Sequence, residues 1–306
     1  MTVEFMSPFN KAWNHMVQHL FKPFRAHVWF GIGFSAFLAQ QASRGGGSGG
    51  HHGPSGADDF HVDQLFSFPQ TAWEWLAGHP GYSILIGFGV FILIALCALF
   101  LWISSRGKFM FVHNVALKNS EVKKPWEAYH EQAHSLFVWR LWFTIISLLL
   151  VIFNLATLFI FAREIYYTGF HIHNLVTSIG LAIWNFVIFF ILGSIGLFLD
   201  DFIVPIMVKQ KGIISEAWSA FLPILKSRLG SFIVYVLFIS LLRIIFMAAV
   251  VMVGLFTCCI GFFFLAIPYI GTVVTLPAHY LFRAYSLEFL AQFGEEYQIL
   301  DIGIIS

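Results

Sequence analysis

Residues His130, Glu131, Gln132, Ala133 and His134 spell an HExxH motif. On a helix its two histidines fall one turn apart on one face, where both imidazoles can hold zinc while the glutamate activates the metal's water. The chemistry would be zinc-dependent peptide hydrolysis, with Glu131 as candidate catalytic base and His130 and His134 as candidate metal ligands. Such a site needs a third ligand. Asp200, Asp201 and His113 lie on the same expected side of the membrane, but no spacing singles one of them out. The glycine that often follows the glutamate in these enzymes is missing. The competing reading, the polar face of a helix lying at the membrane surface, is the stronger one, so neither zinc nor any other cofactor is expected.

Arg243 is the strongest charge inside an apolar run. Charge at such depth is costly and is by default a functional signal, lining an anion path or pairing with a carboxylate. No Asp or Glu accompanies it within the runs, and Asn154, Asn185 and Ser240 are the other notable polar groups there. A structural role is favoured, with Arg243 bonding backbone carbonyls or a partner subunit. His15 and His19 form a second i, i+4 pair. His51, His52, His61, His171 and His173 fall in loops and match no ligand spacing. Gly254, Gly261 and Gly271, with Gly193 and Gly196, permit close helix approach. Cys97, Cys258 and Cys259 all lie in apolar stretches, which argues for inert thiols rather than a disulfide framework.

The elements that must position these residues belong in lipid. The 306 residues are 58% hydrophobic and 11% charged, with 37 Phe, whereas a soluble domain carries about 25% charge. A net charge of +1 gives no pull toward nucleic acid. Good apolar runs cover 82–103, 137–161, 175–199 and 231–254. A fifth, 257–282, contains Pro268 and Pro277 and predicts a kinked span. The first, 27–41, has a core of only about 12 residues and is either a span or re-entrant. The apolar start at 28–39 comes too late for a cleavable signal peptide.

Charge decides for six spans. If 27–41 crosses, one side collects Lys11, Lys22, Arg25, Arg106, Lys108, Lys118, Lys123, Lys124, Arg140, Lys209, Lys211, Lys226, Arg228 and Arg283, fourteen of the seventeen Lys and Arg residues. Arg44 and Arg163 remain outside. The positive-inside rule then places both termini in the cytoplasm. The outer side holds a Gly-rich loop at 44–57, the acids Asp58, Asp59, Asp63 and Glu74, and an aromatic helix expected at 64–77. Three cytoplasmic interfacial helices are expected near 8–24, 122–136 and 213–229. They open at Ala12-Trp13, Pro125-Trp126 and Ala217-Trp218 and close at a snorkelling Arg25, Arg140 or Arg228, a weak threefold repeat.

Several stretches carry a resemblance: PFNKAW, KPFRAHVWFGIGFSAFLA, SRGKFMFVHNVAL, SLFVWR, DDFIVPIM, EAWSAFLPILKSR, LFTCCIGFFFLAIPYIGTVVTLP and RAYSLEFLAQFG. Together they resemble a family of uncharacterised bacterial multi-pass membrane proteins, itself similar to the membrane domains of some glycerophosphodiester phosphodiesterases. The resemblance implies an inner-membrane location and assigns no catalytic residues, and the HExxH is not part of it. The expectation is a single all-α membrane domain over 1–306. Its expected function is a non-enzymatic scaffold or assembly subunit that contacts the lipid bilayer and forms a homo-oligomer or joins a larger membrane complex. A channel or transporter with Arg243, Pro268 and Pro277 in its path is the alternative, and a zinc peptidase the second.

Overall fold

The computed structural model describes residues 3–44, 62–169, 171–257 and 260–300. The Gly-rich stretch from residue 45 to 61, with its acids and histidines, and Cys258-Cys259 lie outside them. Among the described residues the chain is helical throughout, without a strand. Contacts divide the chain into two compact units. Unit 1 is Met1–Gln41, Leu101–Arg140 and Phe190–Ser306. Unit 2 is Ala42–Phe100 and Leu141–Phe189.

In chain order the helices are α1 (Met6–Leu20), α2 (Ala26–Arg44), α3 (Val62–Gly78), α4 (Pro80–Ala116), α5 (Lys123–Ala128), α6 (His130–Thr168) and α7 (Ile172–Phe198). A π turn (Leu199–Ile203) joins α7 to α8 (Val204–Gln210). Then come α9 (Ile214–Ser227), α10 (Leu229–Phe256), α11 (Ile260–Ala266), α12 (Pro268–Val274) and α13 (Leu276–Ala291).

Among the described residues four helices, not six, are long and apolar enough to cross a membrane: α4, α6, α7 continued through α8, and α10. Two expected spans fail for different reasons. In the fifth run the prolines do more than kink: each lacks an N–H and clashes with the preceding turn, so each opens a new helix at its first turn, giving α11, α12 and α13. The first run, α2, is packed by protein. Ile32, Ser35 and Ala36 are fully buried. Its small residues let it lie antiparallel on the end of α4: Ser104 Oγ donates to the Ala39 carbonyl at 2.7 Å, and Asn114 Nδ2 to Ser35 Oγ at 3.4 Å. A Cβ on Gly107 would collide with the backbone at Leu38 and Ala39. Gly31, Ser35 and Ala39 make the small-residue spacing that such an approach needs.

α4 has 37 residues. At 1.5 Å per residue it measures about 55 Å, far beyond the roughly 30 Å of a hydrocarbon core. It runs on past the apolar stretch of 82–103, and its last turns are buried in unit 1. Unit 1 has an aromatic core of Phe202, Phe232, Tyr235, Tyr285 and Phe289, all with no exposed surface. Tyr235 lies 4.5 Å from Phe289 and 4.9 Å from Phe202, ring centre to ring centre. α1 closes one side of this unit. Ala12, His15, Met16 and Leu20 recur at helical spacing and face α13, with Phe5 against Phe289 and His15 against Tyr280.

Unit 2 is thinly packed. Of the most apolar windows of α4, α6 and α7, only 6%, 6% and 0% of the residues are buried by protein. Phe66 of α3 is an exception, packing against Phe159, Tyr166 and Tyr167. α3 covers the expected outer interfacial helix, with Trp73 and Trp75 exposed.

The three stretches expected as cytoplasmic interfacial helices are helical, in α1, in α5 with the start of α6, and in α9. The repeat among them breaks at its closing arginines. Arg25 and Arg228 are exposed, as snorkelling requires. Arg140 is buried, donating to Ser104 Oγ at 3.2 Å and Ser105 Oγ at 3.1 Å.

Candidate functional site

The HExxH residues open α6. Tyr129 ends α5 and is buried, as are Gln132 and Ala133, so the helix turns His130, Glu131 and His134 outward. His130 Nδ1 lies 3.0 Å from the Glu127 carbonyl, and its Nε2 lies 3.9 Å from Glu131. Among the described residues, no three His, Cys, Asp or Glu side chains group as metal ligands. The proposed third ligands are engaged elsewhere. His113 Nδ1 sits 3.2 Å from the Tyr129 hydroxyl, a phenol that burial pushes up to about 12 and so keeps protonated. Asp200 and Asp201 belong to a different constellation.

That constellation is ionic and buried in unit 1, and it begins with a local backbone event. Asp200 would normally accept the Val204 N–H in its own helix. Instead Val204 donates to Leu199, five residues back. The next residue, Pro205, has no N–H to give. The π turn therefore frees the Asp200 carbonyl, and Arg283 Nη1 of α13 donates to it. The Asp200 carboxylate pairs with Lys108 of α4. Next to it, Asp201 accepts the Tyr235 hydroxyl of α10 at 3.0 Å. Arg243, two turns further along α10, reaches Asp201 Oδ2 at 3.5 Å, and Arg283 reaches Oδ1 at 3.9 Å. The Arg140 charge of α6 acts on both Lys108 and Asp200.

The four long helices thus each send a charged group to one point, and α13 adds a fifth. Lys108 and Arg283 side chains are 5% and 9% exposed, while Asp200 and Arg243 keep 33% and 45%. The sequence reading missed this cluster. It grouped Lys108 and Arg283 only with the other cations of one side, and it found no carboxylate for Arg243. Asp201 is that carboxylate. One local signal was available: paired acids ending an apolar run, with proline five residues after the first, in DDFIVP.

A second polar group joins α1 to α13. His15 Nδ1 and His19 Nδ1 both lie 2.9 Å from the Tyr280 hydroxyl. One hydroxyl proton cannot serve both, so at least one imidazole donates its own N–H to the hydroxyl oxygen, which also lies 3.4 Å from the Val115 carbonyl. Burial, aided by the Lys118 charge, lowers His19 to about 4, so it is neutral near pH 7. A separate cleft of about 580 Å³ is lined by Glu4, Ile224, Arg228 and Gln292 among others and includes none of the ionic cluster.

The glycines divide. A Cβ on Gly254 would stand 2.5 Å from the Phe262 ring, and one on Gly261 would stand 2.7 Å from Thr257 Oγ1 and 3.3 Å from the Gly254 Cα. The α10–α11 hairpin depends on both being bare. Gly271 fits under the Leu265 carbonyl, 2.5 Å from where its Cβ would be. Gly193 and Gly196 face open space.

Among the described residues the chain is all-helical, with four helices long and apolar enough to cross a membrane, which by length and composition suggests a membrane protein. More particularly, the chain belongs to the family described as "Family of unknown function (DUF7544)", whose profile matches residues 6–276. The match takes in every member of the cluster except Arg283. Neither the curated proteins nor the solved structures contain a match to it.

Proposed function

We propose that this protein is a non-enzymatic assembly subunit of a membrane, which self-associates and organises the surrounding bilayer. The observation that carries the proposal is the bareness of the spans. Between 0% and 11% of their most apolar windows is covered within the chain. Surface of that kind is completed by lipid or by other copies. The exposed Trp13, Trp73 and Trp75 on α1 and α3 suit headgroup-level anchoring. The proposed membrane is a bacterial inner membrane. Every Lys and Arg except Arg44 and Arg163 falls in unit 1, which supports a cytoplasmic side for that unit and for both chain ends. Kinship with the membrane domains of glycerophosphodiester phosphodiesterases is part of the same proposal.

Native mass spectrometry of the full chain, with metal analysis on the same sample, tests this reading. A discrete homo-oligomer without zinc supports it. A monomer overturns self-association, and one zinc per chain lost in His130→Ala overturns the non-enzymatic assignment. The ionic cluster favours a second reading, a channel or transporter. That reading calls for bilayer conductance that Arg243→Gln alters while assembly survives.

A further inference from the structure

The turn between α1 and α2 carries two aromatic side chains that the fold holds out in the open. Every residue of Phe21-Lys22-Pro23-Phe24-Arg25 is exposed. Phe21 and Phe24 form an antiparallel bridge and keep 44% and 63% of their surface free. Trp29 of α2 is the wedge that seats them. Its ring stands 5.5 Å from each phenyl ring, and its Nε1 donates to the Leu20 carbonyl at 2.8 Å. That hydrogen bond ties the wedge to the end of α1, so the two rings are presented outward on a braced turn.

The turn also continues an apolar stripe. Ala12, Met16 and Leu20 bury one face of α1. Met6, Trp13 and the half-buried Val17 follow each other along its outer face at the helical spacing that leads to Phe21. The fold makes no use of this second apolar face, and an exposed patch of this kind marks a contact surface.

Charge decides between the possible contacts. From Phe5 to Arg44 the chain has no acidic residue, while Lys11, Lys22, Arg25 and Arg44 are cationic. Lys11 reaches Glu288 at 3.9 Å, but Lys22 and Arg25 enter no ion pair among the described residues. The loop that meets α2 at Ser120 adds Lys118, whose charge acts on His19, and one acid, Glu121, which Lys124 holds at 3.0 Å. A second copy meeting this turn through the same patch would set Lys22 and Arg25 against their own kind, which like-charge repulsion opposes. A leaflet rich in anionic headgroups answers both halves of the patch. Phenyl rings enter beneath the headgroups, and the cations stay at headgroup level.

We infer that the α1–α2 turn docks on an anionic bilayer surface, with Phe21 and Phe24 inserted and Lys22 and Arg25 holding the headgroups. The inference rests on the membrane reading above and is independent of self-association.

The test uses the full-length chain in vesicles of phosphatidylcholine, alone or mixed with phosphatidylglycerol. Phe24 is replaced by photoreactive benzoylphenylalanine, and mass spectrometry identifies what it captures on irradiation. The expected product is a lipid adduct, formed in higher yield in the mixed vesicles. Lys22→Gln and Arg25→Gln, both at exposed positions, each weaken docking on the mixed vesicles about fivefold and leave the yield on phosphatidylcholine unchanged. The same photoreactive group in place of Gln18, on the polar side of α1, captures little lipid. Hydrogen exchange of the chain without the label reads the same contact, with amides 22–27 slower in the mixed vesicles. Equal yields and equal exchange in the two vesicles overturn the inference. So does a chain-to-chain adduct as the main product, which assigns the turn to a second copy. A chain that is monomeric by native mass spectrometry overturns self-association alone, because the lipid adduct needs no second chain.

Discussion

Replacing Asp201 with Asn removes one charge and almost no volume. Its side chain is 6% exposed, with Arg243 at 3.5 Å, Arg283 at 3.9 Å and the Tyr235 hydroxyl at 3.0 Å. At an effective dielectric constant near 20, each ion pair is worth roughly 4–5 kcal/mol gross. Most of that is offset by the cost of taking the charges out of water. The net loss follows instead from the charge left behind. Arg283 would stay buried with only the Asp200 carbonyl to receive it, and stranding one partner of a buried pair costs about 3–5 kcal/mol. Tyr235→Phe removes a single hydrogen bond to a charged acceptor, worth about 1.5–3 kcal/mol, and leaves both arginines paired. The expected order is therefore Asp201→Asn well above Tyr235→Phe. The double mutant falls short of their sum by about 1 kcal/mol, because the hydroxyl gains less from an amide than from a carboxylate. The assay is reversible SDS titration in mixed micelles, read by tryptophan fluorescence. Glu131→Gln, on the exposed face of α6, serves as the control and leaves the midpoint unchanged. An Asp201→Asn cost below about 1 kcal/mol would refute the reasoning, since the carboxylate would then not be what holds the arginines in place.

Three further outcomes are expected. Gly107→Ala drives a methyl into the backbone at Leu38 and Ala39 and costs at least about 2 kcal/mol by the same titration, while Gly193→Ala meets nothing within 4 Å and is neutral or slightly stabilising. His19 has a folded-state pKa near 4 against 6.5 unfolded, so its contribution is complete above pH 6.5 and is lost as pH falls toward 4. Allowing for its partial exposure the loss is about 1–2 kcal/mol, and a pH series of thermal midpoints in which His19→Gln keeps the full slope counts against it. Chelation of the purified chain and His130→Ala each leave the thermal midpoint and oligomeric state unchanged, and a fall in either measurement on chelation would return the HExxH to consideration.

The four strongest apolar runs were legible because a span is a local property: about 20 apolar residues specify a helix in lipid whatever lies beside it. The same locality made α1, α3 and α9 readable from tryptophan placement and helical spacing, and it marked Gly254, Gly261 and Gly271 as close-approach positions. The weaker runs were decided by their neighbours. α2 is long enough for a span but falls short in hydropathy, and its contact along α4, through Gly107, Ser104 and Asn114, makes it part of a protein core. In the fifth run Pro268 and Pro277 were visible, but whether a proline kinks a helix or restarts one depends on what satisfies the freed carbonyls.

Apart from the paired acids of DDFIVP, the ionic cluster could not be read from the chain. Lys108 and Arg283 are far apart in sequence, and a charge has no periodicity that announces its partner. The sequence determined that these cations exist and that most lie toward one end of the spans. Only the tertiary structure brought Lys108, Arg140, Arg243 and Arg283 around Asp200 and Asp201, because a missing proline N–H frees one carbonyl and the packing of α4, α6, α10 and α13 excludes the water that would otherwise keep the charges apart.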